Sequence, residues 1–483
     1  MTAARAGRMD TENTADPELS SADGAGGAES SVSLGRLALA VLVLLCGVTM
    51  FLGYQNKARC IGPSYDEWGR STDFVAVKYR DACYSDIQHL WIGRDIDRHV
   101  FPYVHGGIDA DGNLVGGAVE YPVLTGLLIW AGALFVDTDA GFLLSSALLL
   151  APFGLLTAWL LGRMSRWRAL IWALGPPLVL YAFHNWELPV VACAVAAVYV
   201  VHRGWGRAGP ARPLRTRGLM AAVLLGLGFA FKIYPAIFVL PLMFYVATGG
   251  PGGAQLAAGR VRDVAGAVWV ALTALGTAVL VNLPFALTGY AGWWASFVFQ
   301  GQRKADITAN SIWFWAFRPE SDPGNNGFHD VVAVASPVSM LIAFAVACAV
   351  GWVRYQREGS YPWVAVSAAM LCGFLLLHKA HSPQYALWLV PMFVLMRVHW
   401  GWIVAYFVAD IAMGLSIFFW YDDIASGAPS GMYDSFTAQA VLIGVWGRAA
   451  LLAGLFVAFL RGRSTVDPPE QAAEPARPVG VSV

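Results

Sequence analysis

Long apolar runs alternate with short polar breaks along this chain, and the length of the runs sets the fold class. Stretches long enough to cross a bilayer, or nearly so, recur at about 34–54, 140–162, 167–183, 187–202, 218–231, 233–247, 264–287, 331–353, 362–378, 383–397, 400–420 and 436–460. Twelve such stretches predict an all-α polytopic membrane protein with about 12 transmembrane helices. Several fall short of the ~20 residues a span needs, so broken or half-length helices are expected around Lys232-Ile233-Tyr234-Pro235 and Ser382-Pro383.

One polar segment stands out against this background. Residues 55–139 form a large first loop, acid-rich between Asn56 and Glu120, and its aromatic residues Tyr84, Trp91, Phe101 and Tyr103 predict amphipathic juxtamembrane helices. The organisation expected is a disordered tail at 1–33, a transmembrane domain at 34–463 and a second disordered tail at 464–483, both tails being poor in core-forming side chains. The first apolar run begins too deep in the chain, and continues too long, for a typical cleaved signal peptide, so it reads as a retained span. No internal repeat is evident, which speaks against the two related halves of many transporters.

Composition supports this class. Hydrophobic residues make up 57% of the chain and charged residues 13%, with a mean hydropathy of +0.55. Net charge is zero, so no nucleic-acid partner is suggested.

Arginine placement predicts sidedness, because cytoplasmic loops keep positive charge. Arg5, Arg8 and Arg36 put the N-terminus inside, and with twelve spans the later arginine clusters, including Arg203/Arg207/Arg212/Arg215/Arg217 and Arg461/Arg463, also fall inside. A multi-pass protein of the cell membrane follows, with both termini cytoplasmic and the acidic loop outside. Tyr121–Val136 could be a further span, but counting it would move the five-arginine loop outside. It is read as a helix lying along or dipping into the outer face. Cys46, Cys193, Cys348 and Cys372 lie in apolar runs, whereas Cys60 and Cys83 share the outer loop and predict a disulfide, two free thiols being the alternative.

Ionisable groups at span ends are functional candidates, since each costs free energy that folding alone does not require. Four clusters qualify, all on the outer side. Asp86 opens a helical pattern in which Ile87, Leu90 and Trp91 share a face; a plain N-cap is its bland reading. Lys232 sits where a proline interrupts a helix, and either snorkels or holds an anion. His378, Lys379 and His381 fall within four residues; they suit a phosphate better than a metal, because Lys379 adds an opposing charge and no third ligand is evident. His184-Asn185-Trp186-Glu187, with Arg303 and Asn310 in a later loop, has the stacking and hydrogen-bonding groups that hold sugars, although interfacial tryptophans are the commoner reading.

Read in order, Tyr84-Ser85-Asp86-Ile87, Glu120-Tyr121-Pro122, His184-Asn185-Trp186-Glu187, Phe231-Lys232-Ile233-Tyr234-Pro235, Asn310-Ser311-Ile312-Trp313 and Ser382-Pro383-Gln384-Tyr385 resemble polyprenyl-phosphate-sugar-dependent glycosyltransferases of the GT-C fold. The closest resemblance is to glycosyltransferase family 87, which includes actinobacterial mannosyltransferases. It implies a polyprenyl-phosphate sugar donor, a lipid or glycan acceptor and contact with membrane lipid. No cofactor or metal is assigned. It carries the catalytic base to Asp86, with Asp81 as a rival and Asp95 a weaker one. Donor phosphate contact falls to Lys232, His378, Lys379 and His381, and substrate contact to Glu120, Tyr121, His184, Asn185, Glu187, Arg303, Asn310 and Tyr385. The expected reaction is a single inverting displacement that transfers a sugar, mannose by resemblance, on the extracytoplasmic face. A polytopic transporter or lipid flippase is the competing class.

Overall fold

The computed structural model describes residues 34–202, 212–252, 262–318, 321–322 and 324–467. The tail at 1–33, the start of the five-arginine loop and residues 468–483 lie outside the described residues. Among the described residues the structure is mostly helical; strands are limited to a hairpin of Gly107–Ile108 against Leu114–Val115.

Among the described residues, seven helical segments are long and apolar enough to cross a bilayer: Arg36–Ala58, Asp139–Ala173, Leu214–Phe231, Val264–Thr288, Asn326–Glu358, Trp400–Ser426 and Phe436–Arg461. Their outward faces carry bare aliphatic side chains, with Leu37 at 80% and Leu280 at 72% exposure. Faces of this kind require hydrocarbon rather than water around them. The protein is a multi-pass membrane protein.

Shorter helices fill the interior. Leu188–His202, Trp363–Leu377 and Ala386–Leu395 are apolar on every side and almost completely buried. Such helices face only protein. Because they are short, their ends stop part-way through the bundle, and there the chain gathers the polar groups of 182–187 and 378–385, most of them buried.

Three expectations change. The run 167–183 does not form a span: a 3₁₀ turn at Arg166–Ala169, one helical turn at Leu170–Ala173 and Pro176–Tyr181 take its place. Arg166 adopts φ 55°, which ends the preceding helix, and Gly175-Pro176-Pro177 removes donors that a continuous helix would need. An amphipathic helix at Tyr290–Gln302, absent from the hydrophobic pattern, packs Ala295 against Leu114 and Ala118 of the hairpin region. Residues 464–467, assigned to a disordered tail, are ordered: Thr465 N–H donates to the Leu395 carbonyl at 2.7 Å, and Met396 bridges Ser464.

The run 121–136 forms the helix Val123–Ala133. Its 11 residues span about 17 Å, short of a ~30 Å hydrocarbon core. Its entry is fixed by Tyr103, whose hydroxyl donates to the Tyr121 carbonyl at 2.8 Å. Glycine is required at position 126, where a Cβ would lie 2.1 Å from the Tyr103 hydroxyl.

The first loop is ordered by three ties. Cys60 and Cys83 are joined by a disulfide. Asp139 accepts from the Ser71 hydroxyl at 2.7 Å and the Ser71 N–H at 3.1 Å, and Trp91 Nε1 donates to the Trp68 carbonyl at 2.8 Å. Together they seat the loop on the ends of the long helices.

Candidate active site

Where the short inner helices end beneath the first loop, a cavity of about 1210 Å³ opens. Asp86 lies on its wall at the first position of the helix Asp86–Gly93. The capping is done by Ser85, whose hydroxyl accepts from the Gln88 N–H at 3.2 Å, so the Asp86 carboxylate is left for other partners. Its backbone N–H donates to the His184 carbonyl at 2.8 Å, which ties the loop to the 182–187 turn.

The carboxylate is oriented by two donors. The Tyr84 hydroxyl donates to Oδ1 at 2.9 Å and Asn185 Nδ2 to Oδ2 at 2.6 Å. Each oxygen keeps lone-pair capacity for a further donor from the cavity. Burial alone would raise the Asp86 carboxyl; the neighbouring His184 ring and the hydrogen bonds from Asn185 and Tyr84 outweigh it and hold the group below its ordinary value. It is ionised at neutral pH. His184, by contrast, is driven down to about 3, first by burial and then by the nearby Lys57 ammonium, so its ring is neutral there.

Asn185 is the hub of the site. Its Nδ2 reaches the Tyr121 hydroxyl at 2.8 Å as well as Asp86, while its Oδ1 accepts from Lys232 Nζ at 3.0 Å. Lys232 is in turn ion-paired with Glu187 at 3.0 Å and lies 4.3 Å from the centre of the Tyr121 ring. Glu187 is fully buried and accepts from Trp388 Nε1 at 2.6 Å. One continuous chain of contacts thus runs from Asp86 through Asn185 and Lys232 to Glu187. It contains two carboxylates, Asp86 and Glu187, and one ammonium group, so Lys232 is already neutralised inside the protein.

Other candidates separate cleanly by position. Glu120, Tyr121, His184, Asn185, Lys232, Arg303, Asn310, His378, Lys379 and Tyr385 line the cavity. Glu187 and His381 lie outside its lining: His381 is fully buried with Nδ1 against the Leu375 carbonyl at 2.8 Å, and its own carbonyl accepts from the Asn310 N–H. Glu120 is paired with Arg94 at 2.8 Å. Asp81 points outward, paired with Arg80 at 3.0 Å, and Asp95 accepts from the Gly116 N–H at 3.0 Å; neither lines the cavity.

Arg303 is different. Among the described residues its guanidinium forms no ion pair, yet it faces the cavity beside Lys379, whose Nζ donates to the Gly301 carbonyl at 2.9 Å. His378, on the same wall, is pushed down to about 4, chiefly by burial, and is neutral at pH 7. The wall therefore carries positive charge that no ion pair among the described residues takes up, with the carboxylates of Asp306 and Asp86 nearby in the same cavity, and an incoming phosphate can engage it.

Residues 208–421 match a family model described as mannosyltransferase (PIG-M). On that match the chain is a glycosyltransferase. The matched stretch includes Lys232, Arg303, Asn310, His378 and Tyr385, while Asp86 and the 184–187 turn precede it. No curated protein matches the chain. Among solved structures, the chain is similar to ArnT from Cupriavidus metallidurans bound to undecaprenyl phosphate, at 14% identity and a TM-score of 0.40, covering 88% of this chain and 77% of that one. It is also similar to an Archaeoglobus fulgidus oligosaccharyltransferase in the apo form, at 13% identity and a TM-score of 0.41, covering 90% of this chain and 57% of that one. The chain thus spans little more than half of the oligosaccharyltransferase. No residue role is transferred from either.

One residue of the site escaped the sequence pattern. Lys57, in the last turn of the first long helix, is buried and donates to the Tyr84 carbonyl at 2.9 Å, with His184 Nδ1 at 3.4 Å. A cation at the end of the first apolar run far from Arg36 was the available signal.

Proposed function

We propose that this glycosyltransferase moves a sugar, mannose in our reading, from a polyprenyl-phosphate donor to a hydroxyl of a lipid or glycan acceptor on the extracytoplasmic face, as the resemblance to glycosyltransferase family 87 implies. What carries the reading is Asp86: an ionised carboxylate on the wall of a large cavity, held by Tyr84 and Asn185, facing a wall whose Arg303 has no ion-pair partner among the described residues.

The chemistry follows from that arrangement. Asp86 accepts the acceptor hydroxyl proton as the oxygen attacks the anomeric carbon, and the bond to phosphate breaks on the opposite side, inverting that carbon. Phosphate leaves as an anion, so Arg303 and Lys379 stabilise it and no acid is needed. Lys232, bound to Glu187, acts by fixing Asn185 and through it Asp86. Glu120, Tyr121, Asn310 and Tyr385 present polar groups to the sugar and acceptor. Arg303→Gln weakens binding of the donor phosphate; an unchanged KM for the donor argues against this role.

The test is transfer of radiolabel from polyprenyl-phosphate-mannose into a lipid extract by the purified full-length protein. Labelled product that disappears in Asp86→Asn supports the reading. Substrate flux across proteoliposomes without any glycosylated product favours the transporter class instead.

A further inference from the structure

A second cavity, of about 920 Å³, lies between the helices Arg36–Ala58 and Asp139–Ser165. The two helices pack closely near their Arg36 and Ser165 ends, where a Cβ on Gly162 would fall 2.5 Å from Leu42 and 3.0 Å from Leu39. The helices stay in contact further along, where a Cβ on Gly154 would collide with Met50 Sδ, and the groove runs beside that contact past Gly47, where the nearest side-chain atom to a Cβ is Leu155 Cδ2 at 3.6 Å. The groove walls are aliphatic and aromatic. Its polar groups are Arg36 and Arg163, and among the described residues neither makes an ion pair. The Arg163 guanidinium lies 5.9 Å from the centre of the Trp159 ring.

Position separates this groove from the catalytic cavity. Lys57, at the site, and Arg36 are 21 residues apart on one helix, about 31 Å along its axis. The arginines therefore sit at the opposite membrane face, the one that positive residues mark as cytoplasmic. From Arg36 to Phe51 the groove runs about 22 Å, more than half of a ~30 Å hydrocarbon core and enough for a chain from one leaflet.

We propose that this groove binds an anionic phospholipid, its headgroup phosphate between Arg36 and Arg163 and one acyl chain laid past Gly47. Charge decides the class: two cations without ion-pair partners at the headgroup level favour an anionic lipid over a zwitterionic one. The site does not depend on the glycosyl-transfer reading.

Native mass spectrometry of the full-length protein tests it, with equimolar phosphatidylglycerol and phosphatidylcholine bearing identical chains. One phosphatidylglycerol should be retained about 10-fold more strongly than phosphatidylcholine, and the double variant Arg36→Gln/Arg163→Gln should bring the two level. Thermal unfolding monitors whether that variant is folded. If it is not, Gly47→Leu, which fills the groove and keeps both arginines, should lose the retained lipid. Equal retention of the two lipids by the native chain, or a preference that survives the variants, overturns the site. So does a lipid-free dimer, which would assign the groove to a second copy of the chain.

Discussion

Two regions of the first loop place an aspartate at the first position of a helix behind a hydroxyl cap, and they put it to opposite uses. Asp139 follows Thr138, whose hydroxyl accepts from the Gly141 N–H; it is fully buried and engaged by the Ser71 hydroxyl, the Ser71 N–H and Arg70. Asp86 follows Ser85 in the same manner, but takes only Tyr84 and Asn185 and keeps a face on the cavity. Local sequence is nearly the same in kind. What differs is whether the groups arriving from elsewhere in the chain use up the carboxylate or leave it capacity to accept one more proton.

That contrast predicts different failures. Asp86→Asn should lower transfer by about 10²–10⁴-fold, the usual contribution of a positioned base, with little change in thermal unfolding. Activity within a few-fold of the native level would remove Asp86 from the base role. Changing Lys232 to Met leaves Glu187 buried without its cation, which costs about 3–5 kcal/mol where one member of a buried pair is removed. A detergent-solubility melt should show the loss, and Lys232→Met/Glu187→Gln should recover much of it. A double variant no more stable than the single would mean that the pair is not coupled as its 3.0 Å separation requires.

Asp139→Asn sharpens the other side. It should destabilise the loop by about 1–3 kcal/mol, because buried donors on Ser71 and Arg70 lose a charged acceptor, while the fraction that stays folded keeps its transfer rate. If the specific activity fell as far as in Asp86→Asn with the fold intact, the two aspartates would no longer differ in kind.

How much of this was legible beforehand depends on how far apart the partners lie in sequence. Asp86, its helix and its cysteine neighbour Cys83 could be read from a few adjacent residues. The loop's aromatic footing could be read too, because hydrophobic periodicity is local. The pairing of Lys232 with Glu187 joins residues at the ends of different helices, and nothing in either segment announces it. Lys57 drew no functional reading from its sequence context, and only packing turns it inward to the Tyr84 carbonyl. The break at 167–183 was carried by Gly175-Pro176-Pro177, a signal outvoted by the apolar residues on either side. Arg303 illustrates the remaining limit: its composition was visible, whereas its lack of an ion pair is a property of the folded cavity.

The smallest expected effect is a pH dependence, and it distinguishes catalysis from stability at the same site. His184 is neutral in the folded protein because burial and Lys57 bring it down to about 3, against an unfolded value near ~6.5. The unfolded chain therefore binds more protons than the folded one between those values, and stability falls as pH drops through that window. Asp86, held below the ordinary carboxylate value, stays ionised at pH 5 and above. Transfer by the folded fraction should accordingly hold level from pH 7 down to about 5 while the melting temperature declines. Replacing His184 with Gln should flatten part of that decline. A catalytic rate that falls in step with pH between 7 and 5, with the melting temperature unmoved, would mean that a group other than Asp86 takes the proton.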